Sequence, residues 1–257
     1  MLLELKEVCK NFGGLKALNS VSFTVEKGEV FGVIGPNGAG KTTIFNLITG
    51  VFPVSGGQIV FNGENLNNKK SHKITELGIA RTFQNIRLFS RMTALENVMV
   101  GAHCRSKAGV LAGLLRTFAQ RKEETLIKEN ALQALRLVGI EECADLQAGS
   151  LPYGKQRRLE IARALATEPE LILLDEPAAG MNDSETEDLR QLIGKIKELG
   201  ITVVVIEHDM NLMMNICDHL AVINFGQRIA VGTPEEVQNN PLVIEAYLGK
   251  EEDEPSA

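Results

Sequence analysis

Apolar and polar residues alternate from Leu2 to Val8 and again across Val21 to Val25, the period of a strand with one buried face. Lys27-Gly28 supplies a turn. Glu29 to Ile34 follows as a short, β-rich apolar run that stops at Gly35. The period then changes, because Ile44, Leu47 and Ile48 share one helical face. A buried strand, a glycine-rich loop and a helix make the first half of a βαβ unit. Gln58 to Phe61 reads as a further strand. Between about Ile86 and Leu165 the spacing is mainly helical, over Ala94–Val100, Glu123–Val138 and Leu159–Ala166. Strands and helices then alternate: Leu171–Leu174, a helix over Asp183–Leu199, Thr202–Ile206 and Leu220–Ile223. Such alternation predicts an α/β fold with a parallel sheet covered on both faces, interrupted by a helical subdomain. No internal repeat is found.

Composition changes this picture little. The chain has 257 residues, 44% hydrophobic and 23% charged, enough for a sizeable core without a staple. Cys9, Cys104, Cys143 and Cys217 lie far apart with no CxxC pair, which predicts free thiols in a reducing compartment rather than disulfides or a zinc site. Met1 to Val8 lacks the basic and apolar regions of a signal peptide. The longest uncharged apolar stretch, Ala108 to Leu115, falls short of the ~18 residues of a spanning helix. A net charge of −6 without a basic stripe argues against nucleic acid as a partner. Residues 251–257, Glu-Glu-Asp-Glu-Pro-Ser-Ala, read as a solvated, disordered tail.

The chemistry gathers at two places. Gly35, Pro36, Asn37, Gly38, Ala39, Gly40, Lys41 and Thr42 fit GxxxxGK[ST], with Thr43 next, between the required strand and helix. Glycines let backbone N–H groups wrap phosphates, and the helix N-terminus favours the anion. Lys41 is expected to reach the β- and γ-phosphates and Thr42 to ligate Mg²⁺. In Leu171-Ile-Leu-Leu-Asp-Glu176, two carboxylates leave the C-terminal end of a buried strand, where doubly wound sheets bind ligands. Asp175 suits the Mg²⁺ shell and Glu176 a general base for water. The reading requires that glycine loop and acidic pair meet one magnesium-nucleotide.

Leu151-Pro-Tyr-Gly-Lys-Gln-Arg-Arg158 resembles the signature of ABC ATPases, usually LSGGQ followed by Gln-Arg. Other elements of that family follow the same order. Phe12 matches the aromatic that stacks on adenine, Gln84 the Q-loop, Ala178-Ala-Gly-Met-Asn182 the D-loop and His208 the switch histidine. The resemblance covers almost the whole chain. It implies a P-loop, RecA-like ABC ATPase core with a parallel sheet, an N-terminal antiparallel β subdomain and an inserted α-helical subdomain. On that plan residues 1–250 are one ABC ATPase domain. Residues 1–85 and 166–240 form the nucleotide-binding core with its β subdomain, about 86–165 the helical insertion, and 241–250 a C-terminal helix. The resemblance further implies ATP and Mg²⁺ as ligands, with catalytic roles for Glu176, His208 and Gln84. Phe12, Gly35 to Thr43, Tyr153 and Gly154 would hold nucleotide, and Thr42, Gln84 and Asp175 would hold the metal. Two cassettes would pair head to tail, so that the helix starting near Gly154 caps the γ-phosphate held by Lys41 of the other. The sequence departs from the pattern at Pro152, Tyr153 and Lys155 of the signature and at Asn182, where the D-loop has Asp.

Within the family the chain is most similar to the LivG-type ATP-binding subunits of branched-chain amino-acid importers. Phe12-Gly-Gly-Leu15, Ile34 to Thr43, Arg81-Thr-Phe-Gln-Asn-Ile-Arg-Leu-Phe89, Arg157 to Arg163, Ala178-Ala-Gly180 and Glu245 to Gly249 carry that likeness, with an added segment near His103 to Arg121. It implies a peripheral protein on the cytoplasmic face of the inner (plasma) membrane. Its partners would be a second ABC cassette in a hetero- or homodimer, transmembrane permease subunits and, indirectly, a substrate-binding protein. No residue here reports the transported molecule, which a cassette does not touch. A lipopolysaccharide-exporting cassette shares the core, although its signature typically lacks the Pro-Tyr-Gly-Lys form. A soluble ABC-type ATPase of translation or DNA repair would usually carry two cassettes in one chain or a long coiled-coil insertion. This chain has one motif set and no sustained heptads. A GTPase would need an Asn-Lys-x-Asp base-reading motif, which is absent.

Overall fold

Strand β1 (Leu3–Phe12) runs antiparallel to β2 (Leu15–Val25) and to β4 (Gly56–Phe61), which pairs in turn with β5 (Glu64–Asn65). The computed structural model that defines these elements describes residues 1–102 and 118–248. The expected segments His103–Arg121 and Glu251–Ala257 therefore lie wholly or largely outside the described residues, as does Cys104.

The chain divides into two units. The first comprises Met1–Lys70 with the described part of Val204–Ala257. Its antiparallel sheet, in the order β2-β1-β4-β5, turns Leu3, Leu5, Val8, Val21, Phe23, Val25, Ile59 and Phe61 inward. Each such apolar side chain contributes about 1.5–3 kcal/mol when fully buried. Phe23 stacks on Phe31 of β3 (Val30–Ile34) at a centroid distance of 5.2 Å. All five residues of β3 are buried, and β3 lies parallel to β9 (His219–Asn224). Helix α1 (Lys41–Ile48) follows β3 and buries Ile44, Phe45, Leu47 and Ile48.

The parallel pattern ends at β9. Strand β10 (Gln227–Gly232) pairs with it antiparallel, through a two-residue turn at Phe225 (φ 45°) and Gly226 (φ 73°). Two successive positive φ angles suit the right-handed twist of a hairpin. The expected parallel sheet thus gains an antiparallel edge strand. After β10 come the short helix α8 (Pro234–Gln238) and the C-terminal helix α9 (Pro241–Leu248).

The second unit runs from Ser71 to Val203. It opens with α2 (Ser71–Glu76) and β6 (Ile79–Arg81), which lies parallel to β7 (Leu171–Asp175) with Arg81 opposite Leu173. Between these strands come α3 (Ala94–Ala102), α4 (Phe118–Leu137) and α5 (Tyr153–Leu165). Leu159, Ile161, Ala162, Leu135, Ala131 and Val98 form their shared core. Helix α6 (Asp183–Glu198) buries Leu189, Leu192, Ile193 and Ile196. The division falls within β8 (Thr202–Ile206), all of whose residues are buried, and α7 (Met210–Ile216) follows it in the first unit. Among the described residues no helix is long and apolar enough to cross a membrane.

Candidate active site

In the first unit, β3 delivers the chain into a loop that only glycine could make. Gly35, Gly38 and Gly40 take φ values of 147°, 78° and 108°. A Cβ at Gly35 would stand 1.9 Å from the Ile223 carbonyl oxygen, and one at Gly40 would stand 2.7 Å from Leu18 Cδ2. Gly40 is the N-cap of α1, whose first turn holds no acid. The loop amides and the positive helix end therefore face an anion without competition from a carboxylate on that turn. Lys41, only 5% exposed, donates from Nζ to the carbonyls of Gly35 (2.7 Å) and Pro36 (3.0 Å). Its charge thus lies folded over the loop. Thr42 is exposed and Thr43 half-buried.

Phe12, at the end of β1, is 40% exposed, too open for a core aromatic. It meets Phe52 edge-on at 5.3 Å, and Lys10 Nζ sits 4.8 Å from its centroid. His208 lies exposed after β8; its backbone N–H donates to the buried Glu207 carboxylate at 2.9 Å, and Asp209 caps α7. The C-terminal helix also reaches the loop. Burial raises the pKa of the Tyr247 hydroxyl, and a hydrogen bond with the Gly35 backbone opposes that shift. Val243, one turn earlier on the same face, is buried and anchors α9.

In the second unit, Asp175 ends β7 at 1% exposure. Its Oδ2 accepts from Arg81 Nη2 at 2.7 Å, while its Oδ1 is buried without a hydrogen-bond partner. Glu176 follows with φ 48°, a left-handed backbone that a non-glycine residue adopts at a cost. Its Oε2 accepts from Gln84 Nε2 at 2.6 Å, so two predicted site residues ninety-two positions apart are in contact. Beneath them lies a wholly buried arginine. Arg157 Nη1 donates to Phe83 O (2.6 Å) and Glu160 Oε2 (3.0 Å), and Nη2 donates to Gln84 O (2.8 Å) and Glu176 O (3.4 Å). Burial raises the Glu160 pKa, and the Arg157 charge partly offsets the rise.

Pro152 is the N-cap of α5 and makes no side-chain cap, in keeping with the missing signature Ser. Tyr153 is exposed at the first helical position, and a Cβ on Gly154 would stand 2.6 Å from Glu185 Oε1. Lys155 turns to Glu142, at 2.8 Å, and to Cys143 Sγ, at 3.4 Å. Asn182 has a local duty: with Glu185 it closes a capping box on α6.

The donor set suits magnesium. Among the described residues no three His, Cys, Asp or Glu side chains cluster as a metal cage. Mg²⁺ needs none, since it binds through one or two carboxylates, substrate phosphates and water. The orphaned Oδ1 of Asp175 is an acceptor of the required kind. Arg81, Arg157, Glu160 and Tyr247 had no role assigned from sequence. For Arg157 a signal existed: it shares the buried stripe of α5 with Ile161 and Ala164, and Glu160 follows at i+3.

A family model described as "ABC transporter" matches residues 18–179, and one described as "Branched-chain amino acid ATP-binding cassette transporter" matches residues 227–253. The high-affinity branched-chain amino acid transport ATP-binding protein BraF of Pseudomonas aeruginosa is 50% identical over 97% of this chain and 98% of its own length. LivG of Escherichia coli, described likewise, is 44% identical over the same shares. A crystal structure of the ADP conformation of an ATP-binding cassette of an ABC transporter superposes with a TM-score of 0.84 at 36% identity, covering 97% of this chain and 99% of the other.

Proposed function

The chain belongs to the ABC transporter family of ATP-binding proteins, and from that premise we propose that it is the ATP-hydrolysing subunit of an importer for branched-chain amino acids. The observation that carries this reading is the 50% identity to a branched-chain amino acid transport protein over nearly the full length of both chains. The C-terminal match over residues 227–253 supports the same class. Relatives named as transport proteins favour it over a soluble ATPase or an exporter cassette.

The residues divide the work. Phe12 stacks on the adenine, and the amides of Gly35 to Thr43 wrap the phosphates. Lys41 leaves its two loop carbonyls for the β- and γ-phosphates, exchanging neutral acceptors for charged ones. Thr42, Asp175 and Gln84 hold Mg²⁺, which when bound neutralises charge on the phosphate oxygens. Glu176 takes the proton of the attacking water, with Gln84 fixing its carboxylate and His208 donating to the γ-phosphate. Tyr153 and Gly154 present the N-terminus of α5 to the nucleotide of a second cassette. ATP thereby favours the paired state and hydrolysis releases it, and that difference drives the permease subunits. The chain works at the cytoplasmic face of the inner membrane as a peripheral subunit, and a substrate-binding protein delivers the cargo.

Purification from native membranes tests the assembly: a second cassette and two permease chains should accompany this protein. Ribosomal or DNA-repair partners in their place would overturn the importer reading. The adenine platform has its own test. Phe12→Ala should weaken ATP binding by about 1–3 kcal/mol in titration calorimetry, the range for stacking of a base on an aromatic ring. Equal affinity would leave Phe12 as a packing partner of Phe52 and Lys10.

A further inference from the structure

The two carboxylate oxygens of Asp175 stand in unequal positions. Oδ2 is held by Arg81 Nη2 at 2.7 Å, with both side chains almost wholly buried, whereas Oδ1 has no hydrogen-bond partner. We propose that Arg81 is a positioning residue that makes Asp175 a one-oxygen ligand and thereby sets the preference of the site for Mg²⁺ over Ca²⁺. The inference rests on the ATPase reading above and adds a determinant of metal specificity to it.

Arg81 comes from β6, the strand beside β7, and pairs in register with Leu173, two residues before Asp175. The next residue, Thr82, accepts the Asp175 N–H on its hydroxyl at 3.4 Å, and the Phe83 ring lies 5.1 Å from the Arg81 guanidinium carbon. Arg81 thus holds the carboxylate, Thr82 meets the backbone that carries it, and Phe83 packs on Arg81. With Oδ2 engaged by the guanidinium, only Oδ1 remains for a cation. Mg²⁺ accepts that geometry, since it demands a small octahedral shell and takes carboxylates through single oxygens. Ca²⁺ is larger and readily takes a carboxylate through both oxygens, which the Arg81 contact forbids. The buried guanidinium also opposes the binding of either dication, so its removal should tighten both, and a change in preference between them reports the freed Oδ2 alone.

The test uses the full chain and a fluorescent N-methylanthraniloyl ATP analogue, titrated in EDTA, in Mg²⁺ and in Ca²⁺. The wild-type chain should bind the analogue more tightly with Mg²⁺ than with Ca²⁺. In Arg81→Gln that preference should fall about tenfold, the lower end of the range for loss of a group that orients a metal ligand. Its affinity in EDTA should stay within about twofold, a readout that general damage to the fold would not spare. Arg81→Lys keeps the charge on a freely rotating ammonium without the planar fork and should lose about threefold. It decides the matter if Arg81→Gln fails to fold. Wild-type preference in either folded variant, or equal binding of the two metal complexes by the wild-type chain, overturns the proposal. No binding of the analogue by the wild-type chain under any condition would instead overturn the ATPase reading on which it rests.

Discussion

Glu176→Gln should lower steady-state phosphate release by about 10²–10⁴-fold, the usual contribution of a positioned general base, while ATP still binds. The change is small in every respect but one. Gln has the shape of Glu, and its amide oxygen can still accept from Gln84 Nε2, which now bonds the carboxylate at 2.6 Å. The left-handed backbone at φ 48° costs both residues about the same. Only the capacity to take a proton is lost. ATP-bound chains should therefore accumulate in the paired state, visible as a nucleotide-dependent shift to larger mass in light scattering. Hydrolysis near the parent rate would remove Glu176 from the base role, and a fall in melting temperature would assign it a structural one.

Short-range pattern carried much of this site, and long-range contact did not. The P-loop was legible because its glycines, lysine and threonine are contiguous and because strand and helix flank them with different periods. Asp175 and Glu176 were legible as acids ending an apolar run. The Gln84–Glu176 bond was not, since ninety-two residues separate its partners and nothing local to either names the other. Strand boundaries failed where burial was weak. In β2 the residues before Val21 include only one fully buried side chain, Leu18, so the strand begins at Leu15, before its alternation becomes clear. β6 is too short for a period. β10 has no buried residue, so its hydropathy gives no sign of the antiparallel edge. Periodicity starts helix α5 only at Leu159, six residues after its first residue Tyr153, because Gly154 to Arg158 looks like a solvated polar stretch. It hides the wholly buried Arg157. A polar residue inside a core is the exception that hydropathy reads wrongly, and here it lies where the site is held together.

Arg157→Met should cost about 3–5 kcal/mol of stability and lower the melting temperature by about 10 °C, because it leaves Glu160 buried without its closer ion-pair partner, Arg163 remaining at 3.9 Å. The effect should depend on pH. Burial already holds the Glu160 carboxyl above its ordinary value of 4.5, with Arg157 restraining the rise. Between the ordinary and the folded value the folded chain holds a proton that the unfolded chain has released, so stability falls as pH rises through that window. Without Arg157 the folded value climbs further and the window extends upward. The gap in melting temperature between variant and parent should thus widen from about pH 5 to about pH 8. Adding Glu160→Leu removes the stranded carboxylate and should recover part of the stability and most of the pH dependence. It should not recover hydrolysis. The carbonyls of Phe83, Gln84 and Glu176 would still lack the guanidinium that ties them together, and Gln84 would no longer be held against the Glu176 carboxylate. A double variant that regains both stability and turnover would reduce Arg157 to a core ion pair. One that regains stability alone makes it the tie between the helix bearing Tyr153 and Gly154 and the proposed base, Glu176.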